Sequence, residues 1–486
     1  MSSFPPGKRL VLLAEDLRLE DNLAFALASK CAPAGVAVVR ILPEARGRPL
    51  RTRNRREIED AAERRIHKQL SAKNISFDVL GPDQSISLAQ VCRRLGCTSV
   101  IRNAADGMAV ENAHRLVWAQ ELASANIPLL TVNGETTRRR GRGGAKPDQP
   151  FLSDDRTVQS DQLPDDHPLL LLRAFLLALP ERNYRADMWI PGRDRLSSSQ
   201  LSTHFAAGTL SSDRATWETT KAERLWHAAN PGQSRTPAGG SFHQFRSRVN
   251  MRTGFLTTFS RYSDYTHSVV PGTVQRERVR AWREGRTGIP MPDAAMRELA
   301  GTGWINFRLR QLVTSYGIQL LQLPAAEVGG ALAEMFDDYE PGITWPQVGL
   351  NDGTIMQDRG PRILNPVKQG HDLDPSETYV RQWLPELATV PVGFGHEPWL
   401  WFENPLPAPL IDHKAAFREA RARWGQSRPN PRASRRCAAH PCSGLSAPIA
   451  QLVRSHDPIG QSAIGIRTYT NPYTCFVCDK NNQQIQ

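Results

Sequence analysis

The 486-residue sequence lacks most of the short signatures that assign chemistry at a glance. It contains no GxxxxGK followed by Ser or Thr, no GxGxxG and no HExxH, which argues against a P-loop NTPase, a dinucleotide fingerprint and a zincin. The GxSxG elbow of α/β-hydrolases is missing as well. Cysteine is sparse and odd in number: of seven, Cys31, Cys92 and Cys97 lie far from Cys437, Cys442, Cys475 and Cys478. That pattern does not read as a disulfide framework and fits a reducing compartment. Long hydrophobic runs are also missing. Residues 10–14 are too short for a signal-peptide core and are followed by Glu15 and Asp16, while residues 169–179 are interrupted by Arg173 and too short to span a bilayer. The expectation is a soluble, cytoplasmic, monomeric protein. Acidic residues are outnumbered, 49 against 61 Lys plus Arg, giving a formal charge of +12 and a pI near 9.6. This balance favours an acidic partner such as nucleic acid.

At 54.2 kDa, with 40% apolar and 23% charged residues, the chain has globular composition and enough length for roughly two to four domains. In the first third, RLVLLAED, GVAVVRIL, SFDVLG, SVIRN and PLLTVNG alternate with helical patterns, including a charged helix over residues 53–73 and another near 88–95. Short β-branched runs separated by helices predict βαβ units, so residues 1–135 are read as a doubly wound α/β domain with a parallel sheet. Residues 136–166 form a basic, Gly-rich linker containing RRRGRGGAK, either a solvated connector or a segment that meets phosphate. Residues 167–427 read as a larger all-α domain. Residues 428–486, rich in Ser, Pro, Ala and Arg, are expected to be a disordered tail. Cys475 and Cys478 are spaced as half a zinc site, but nothing around them predicts a tetrahedral frame, and no metal is expected.

Two helices of the second region can be argued from spacing. Ile305, Leu309, Leu312, Val313, Tyr316 and Leu320 recur at steps of three and four and make one apolar face, with Asn306, Arg310, Gln311 and Thr314 elsewhere on the cylinder. A second helix is predicted to start at Asp374, with Pro375 at N1 and Glu377 at N3 and a buried face of Tyr379, Val380, Trp383, Leu384 and Leu387. Asp293 marks a weaker start for a helix that Gly301 and Gly303 would end.

Four segments are hard to explain by packing alone: SSSQLSTHFAAGTLS (197–211), WREGRTGIPMPDAAMREL (282–299), GWINFRLRQLVTSY (303–316), and the run from FDDYEPGITWPQ (336–347) to RILNPVKQGHDLDPSETYVRQWLPEL (362–387). Together they resemble the FAD-binding domain of the photolyase/cryptochrome family. LVLLAEDLRLEDNLAFALA resembles a degenerate copy of that family's opening strand and helix, so the likeness covers about residues 8–425. It implies FAD as cofactor, with a second antenna chromophore of folate or deazaflavin type in the α/β domain.

Ser198, Ser199 and Ser202 place hydroxyls and free amides ahead of a helical pattern, a physical setting for a pyrophosphate. In the family the matching stretch, here Ser198, Ser199, Gln200, Leu201 and Ser202, binds the FAD phosphates. An arginine turned inward needs a carboxylate to offset desolvation, and Asp338 is the candidate for Arg310. The resemblance places that pair beside the flavin ring, with Tyr339 and Glu340 following it, Tyr184 packing on the cofactor and Thr344 facing the flavin N5. Thr344, Arg310 and Asp338 are thereby the implied catalytic group.

The likeness implies a light-dependent deoxyribodipyrimidine photo-lyase, a carbon–carbon lyase that splits cyclobutane pyrimidine dimers in DNA by electron transfer from photoexcited reduced FAD. Its substrate side falls on Arg248, Met251, Arg252, Asn306 and Arg308, the last able to meet phosphate. Here the pattern departs from the family. Arg248 and Met251 stand where a Glu and a Trp are usual, Asn306 and Phe307 where many members have His and Asn, and Val348 where a proximal tryptophan is usual. Met cannot offer a π-face to a base, and Arg cannot serve as a carboxylate. Two alternatives follow: a cryptochrome-like blue-light photoreceptor with little or no repair activity, and a member that keeps only the fold and binds nucleic acid. An alternative electron route would use Trp304, Tyr316, Trp345 and Trp383.

Overall fold

In the computed structural model, the residues described are 6–32, 34–42, 52–81, 86–104, 109–132, 163, 167–259, 273–355 and 360–427. The basic RRRGRGGAK segment and the cysteine-bearing C-terminal stretch lie outside them.

Five strands, β1 (Lys8–Leu13), β2 (Val36–Ile41), β3 (Ser76–Leu80), β4 (Cys97–Asn103) and β5 (Leu129–Val132), form one parallel sheet in the order β3-β2-β1-β4-β5. Helices α1 (Leu23–Cys31), α2 (Arg53–Ser71), α3 (Leu88–Leu95) and α4 (Ala109–Ser124) connect them. Side chains alternate across a strand, so a run that is apolar throughout needs cover on both sides. That is what β1 receives. Leu10 and Leu12 join Val91, Cys92 and Leu122 of α3 and α4 on one face, whereas Val11 and Leu13 meet Ala28, Ala62, Ile66 and Leu70 of α1 and α2 on the other. The doubly wound architecture expected from the alternating runs is the one found. At the carboxyl ends of β1 and β4, Asp16 accepts from the Ala14 amide (2.9 Å) and the Asn103 amide group (2.5 Å), while Asn22 caps α1.

The second part is helical: α5 (Pro168–Ala178), α6 (Tyr184–Asp187), α7 (Asp194–Ser197), α8 (Ser202–Ala207), α9 (Ser212–Ala229), α10 (Pro237–Phe259) and α11 (Thr273–Arg283). It continues with α12 (Pro290–Thr302), α13 (Phe307–Ser315), α14 (Ala325–Met335), α15 (Pro341–Asp352), α16 (Pro366–Leu373), α17 (Thr378–Trp383) and α18 (His413–Ser427). The longest apolar run becomes α5, which buries Leu169, Leu172, Phe175 and Leu176. Among the described residues no helix is long and apolar enough to cross a membrane.

Three expectations are corrected in detail. The helix read over residues 305–320 is not uniform: Asn306 is its N-cap, accepting from the Leu309 amide at 2.8 Å, and Tyr316–Leu320 is a π-helical turn. The cause is local. Trp282 Nε1 donates to the Val313 carbonyl at 3.1 Å, and a side chain inserted into the ladder favours the wider turn. Gln311 and Thr314, placed on the polar side by spacing, are buried because α13 is enclosed on both faces. Second, α17 begins at Thr378, not Asp374. Asp374 caps the end of α16, and its carboxylate still accepts from the Tyr379 and Val380 amides (3.1 and 3.0 Å), so the helix-start amides are satisfied from one element earlier. Glu377 takes the Gly393 and Gly395 amides instead. Third, α12 begins at Pro290. Buried Asp293 binds the Thr287 amide and hydroxyl and the Gly288 amide, fastening the turn ahead of the helix.

Candidate functional site

One cavity in the helical part collects most of the residues singled out by sequence. It has an empty volume of about 1140 Å³ counting its solvent-open mouth. Its walls come from the 198–202 segment, from α10, from residues 304–310 and from Asp338, Glu340 and α15.

Ser198, Ser199, Gln200, Leu201 and Ser202 all face it. Gln200 adopts φ +55°, and its amide group donates to Ser198 Oγ at 2.6 Å, holding the tight bend that precedes α8. No side chain caps α8, whose N-cap is Leu201. The helix has only six residues, so hydroxyls and local amides, more than a long helix dipole, are what this wall offers an anion.

Opposite them, Arg310 makes a two-pronged bond to Asp338, Nη1 to Oδ1 at 2.9 Å and Nη2 to Oδ2 at 2.8 Å. Its Nε donates to the Ile305 carbonyl at 2.8 Å, and its guanidinium lies 4.2 Å from the Phe336 ring centre. Four constraints on one fork leave it a single orientation. Arg252 likewise gives Nη2 to both oxygens of Glu340 at 2.8 Å and to the Phe205 carbonyl, with Nη1 on Ser212 Oγ. Its donors are thus directed at the protein.

Tyr184 is buried edge-on to Phe175 and Phe245 and lines the cavity, and burial pushes its phenol well above the ordinary range. Arg248 and Met251 share the α10 wall. Arg248 stacks on the Trp189 ring at 4.6 Å, burial lowers its pKa, and Arg308 approaches the same ring at 5.7 Å. Asn306 lines the cavity, though its oxygen is committed to the α13 cap.

Three expected residues are not brought to this cavity. Tyr339 is buried behind Asp338, its hydroxyl accepting from Trp345 Nε1 at 3.3 Å. Thr344 is buried in α15, which turns Ile343 and Gln347 to the cavity instead. Arg308 sits outside with Trp189. Val348 is buried, and Trp304 is the cavity's one tryptophan among the lining residues.

Sequence reasoning missed Trp189, although it ends the same NYRADMW stretch that contains Tyr184. It also missed a buried polar group next to the cavity. Glu298 accepts from Arg195 Nε (3.2 Å) and the Tyr379 hydroxyl (2.7 Å), and Asp194 lies close enough to be affected by its charge. Burial raises the Glu298 carboxyl, and burial reinforced by Glu298 pushes Asp194 up to about 6. Its members come from three separate stretches, and no local pattern in the chain announces them.

Residues 242–426 match the family model described as the FAD binding domain of DNA photolyase. Cryptochrome-1 of Arabidopsis thaliana is 27% identical over 474 residues, covering 84% of this chain and 67% of its own. The deoxyribodipyrimidine photo-lyase of Escherichia coli is 36% identical over 158 residues, 28% of this chain and 30% of its own. Among solved structures, a Synechocystis cryptochrome superposes with a TM-score of 0.69 at 19% identity, covering 87% of this chain and all of its own. A bacterial class III photolyase from Agrobacterium tumefaciens gives 0.66 at 20% identity, covering 88% and 99%. At these identities the superpositions establish the fold.

Proposed function

The chain belongs to the photolyase/cryptochrome family of FAD-binding proteins, and from that premise we propose that it is a cryptochrome-like blue-light photoreceptor with little or no repair of pyrimidine dimers. The observation that carries this reading is the α10 wall. Arg248, stacked on Trp189, and Met251 line the α10 side of the cavity, the side to which the resemblance assigns a flipped-out dimer. Neither supplies the carboxylate or the π-face that the repair pocket of the family uses.

The cavity fits FAD by its donor chemistry. Ser198, Ser199 and Ser202 offer hydroxyls toward the phosphates, and Tyr184 and Phe245 offer apolar surface. Bound FAD supplies blue-light absorption and reversible uptake of electrons. This chain's own residues then do the positioning. Arg310 is locked by Asp338, Ile305 and Phe336, so it presents a fixed positive charge that favours added electron density on a neighbouring ring system. Arg252 keeps the Glu340 carboxylate paired at the cavity wall. Trp304, on the cavity wall, is the residue we assign to electron supply, since Val348 stands where the family usually has a tryptophan.

A second reading, a photo-lyase that acts on cyclobutane dimers in DNA, is favoured by the cationic pair Arg248 and Arg308 around Trp189, which could meet a phosphate at the mouth. The two readings separate on one experiment. Reduced, FAD-loaded protein is illuminated with blue light alongside a dimer-containing oligonucleotide. The receptor reading expects the absorbance of a parallel sample with oxidised FAD and an added reductant to change with light while the dimers persist in the reduced one; catalytic loss of dimers overturns it in favour of the lyase. A folate or deazaflavin antenna would add its own near-ultraviolet or violet band to the spectrum of the purified protein.

A further inference from the structure

Helix α2 belongs to the α/β domain, yet its first turn bonds main-chain oxygens directly behind two walls of the cavity. Arg55, 1% exposed, gives its Nε to Glu59 Oε1 at 2.6 Å and its Nη1 to two main-chain oxygens of the helical domain, Thr203 and Asp337, each at 3.3 Å. Thr203 directly follows Ser202 on the serine wall, and Asp337 directly precedes the Asp338 that holds Arg310. The buried charge is supported from behind. Glu59 also accepts from Arg40 of β2 at 3.0 Å, so a carboxylate between two guanidiniums offsets the cost of desolvating Arg55.

Neighbouring contacts act on the same two walls. Asn54 Nδ2 donates to Asp337 Oδ2 at 2.6 Å. At the far end of α8, the Leu17 amide donates to the Ala207 carbonyl (3.3 Å) and Arg18 Nη1 to the Gly208 carbonyl (2.9 Å). Gly208 has φ +68°, and a Cβ there would lie 1.8 Å from the Glu15 carbonyl, so the two domains touch backbone to backbone at this point. Helix α8 is therefore gripped at both ends by the α/β domain.

We propose that Arg55 is a positioning residue for the flavin site: its guanidinium sets the spacing between the serine wall and the Arg310–Asp338 wall, and so couples FAD binding to docking of the α/β domain. A charged donor shared between two carbonyls fixes both to one point, and the sheet behind it makes that point rigid. Coupling of this kind is reciprocal. Whatever factor docking adds to FAD affinity, FAD adds to docking. The α/β domain then has a structural task in the flavin site that is independent of any chromophore of its own.

The inference rests on the flavin site proposed above, and its test keeps the two apart. Full-length wild type, Arg55→Met, Arg55→Lys and Asn54→Ala are compared for FAD dissociation constant, visible circular dichroism of the bound flavin, and melting temperature with and without FAD. Arg55→Met is expected to bind FAD about tenfold or more weakly. Asn54→Ala, which removes the donor to the buried Asp337 carboxylate but leaves the Arg40–Glu59–Arg55 charges paired, should weaken it by about twofold to fivefold. Both should alter the visible dichroism, which a contact serving only domain packing would not move. Lys at 55 should recover part of the affinity by keeping the charge. Unchanged affinity and dichroism in Asn54→Ala and Arg55→Met, or in Asn54→Ala alone if the Met variant does not fold, overturn the proposal. Melting temperatures that fall equally with and without FAD overturn it too. A wild type that takes up no FAD refutes the flavin site itself.

Discussion

Replacing Asp194 by Asn should make the protein more stable at neutral pH and leave it unchanged in acid. The carboxylate opens α7, with Oδ1 accepting from the Arg195 amide at 2.9 Å and Oδ2 buried without a partner among the described residues. Burial first, and the nearby Glu298 second, raise its pKa from 3.8 to about 6, against smaller opposing effects from Asn306 and Arg195. The folded chain therefore keeps a proton that the unfolded chain releases between about pH 4 and pH 6. Stability from this group is fully present below the unfolded pKa and is lost as pH rises through the folded one. A shift of about two units, at about 1.4 kcal/mol per unit, sets the penalty at neutral pH near 3 kcal/mol. Asn keeps the shape and the acceptor for the Arg195 amide while carrying no charge. Asp194→Asn should thus exceed wild type by about 1–3 kcal/mol at pH 7.5 and match it near pH 4. Denaturant unfolding at fixed ionic strength across that range reads the difference directly. Asp293 titrates in the same direction but is common to both proteins and drops out of the comparison, whereas Glu298, whose charge acts on Asp194, is relieved of that repulsion in the variant and widens the gap at neutral pH. A gap that stays constant from pH 4 to pH 8, or a variant less stable than wild type at pH 7.5, would refute the reasoning.

Removing one partner of the Arg310–Asp338 pair strands a buried charge, so Arg310→Ala should cost about 3–5 kcal/mol and lower flavin content, with Arg310→Ala/Asp338→Asn recovering part of the stability. Unfolding curves and the flavin-to-protein absorbance ratio check this; full FAD occupancy in the single variant counts against the role. Gly303 sits at φ +68° with the Asp337 carboxylate 2.2 Å from where a Cβ would lie, so Gly303→Ala should destabilise by about 1–3 kcal/mol. Two residues earlier, exposed Gly301 is inside α12 and meets Trp383 at an ordinary 3.4 Å; Gly301→Ala should stabilise by up to about 1 kcal/mol, and urea midpoints moving in opposite directions are the expected result. If Trp304 supplies electrons from the cavity wall, Trp304→Phe should slow bleaching of oxidised flavin under blue light with a reductant, whereas Trp345→Phe, away from the wall, should not.

The strands were legible because a parallel sheet covered on both sides writes itself as continuous apolar runs, and the five runs became the five strands. Local capping was harder. Asp374, Pro375 and Glu377 carry the residue types of a helix start, but the preceding α16 claims Asp374, and Glu377 is drawn to the Gly393–Gly395 loop, which no spacing rule anticipates. Within the site, Arg310 and Asp338 could be paired in advance because an inward arginine demands a carboxylate. Arg252 and Glu340 could not, since both also suited contacts with a ligand. The cluster of Asp194, Arg195, Glu298 and Tyr379 was invisible for a different reason: each member is unremarkable beside its sequence neighbours, and only the tertiary fold removes them together from water.

A π-helical turn contains an extra residue relative to an α-helical one, and each residue of an α-helix advances the chain by about 100° around its axis. Deleting one residue between Tyr316 and Leu320 would let the ladder close as ordinary α-helix and would leave a helix behind. Because the wider turn absorbs that residue, the segments on either side would keep their facing, with Leu321 and Leu323 in the core and α14 presenting Gly329 to Trp345; what would change is the ladder around the Val313 carbonyl that Trp282 uses. The same deletion inside α13 would turn everything beyond it by about 100°. Length variation of a single residue among relatives should therefore fall at this turn and not in the regular helix before it.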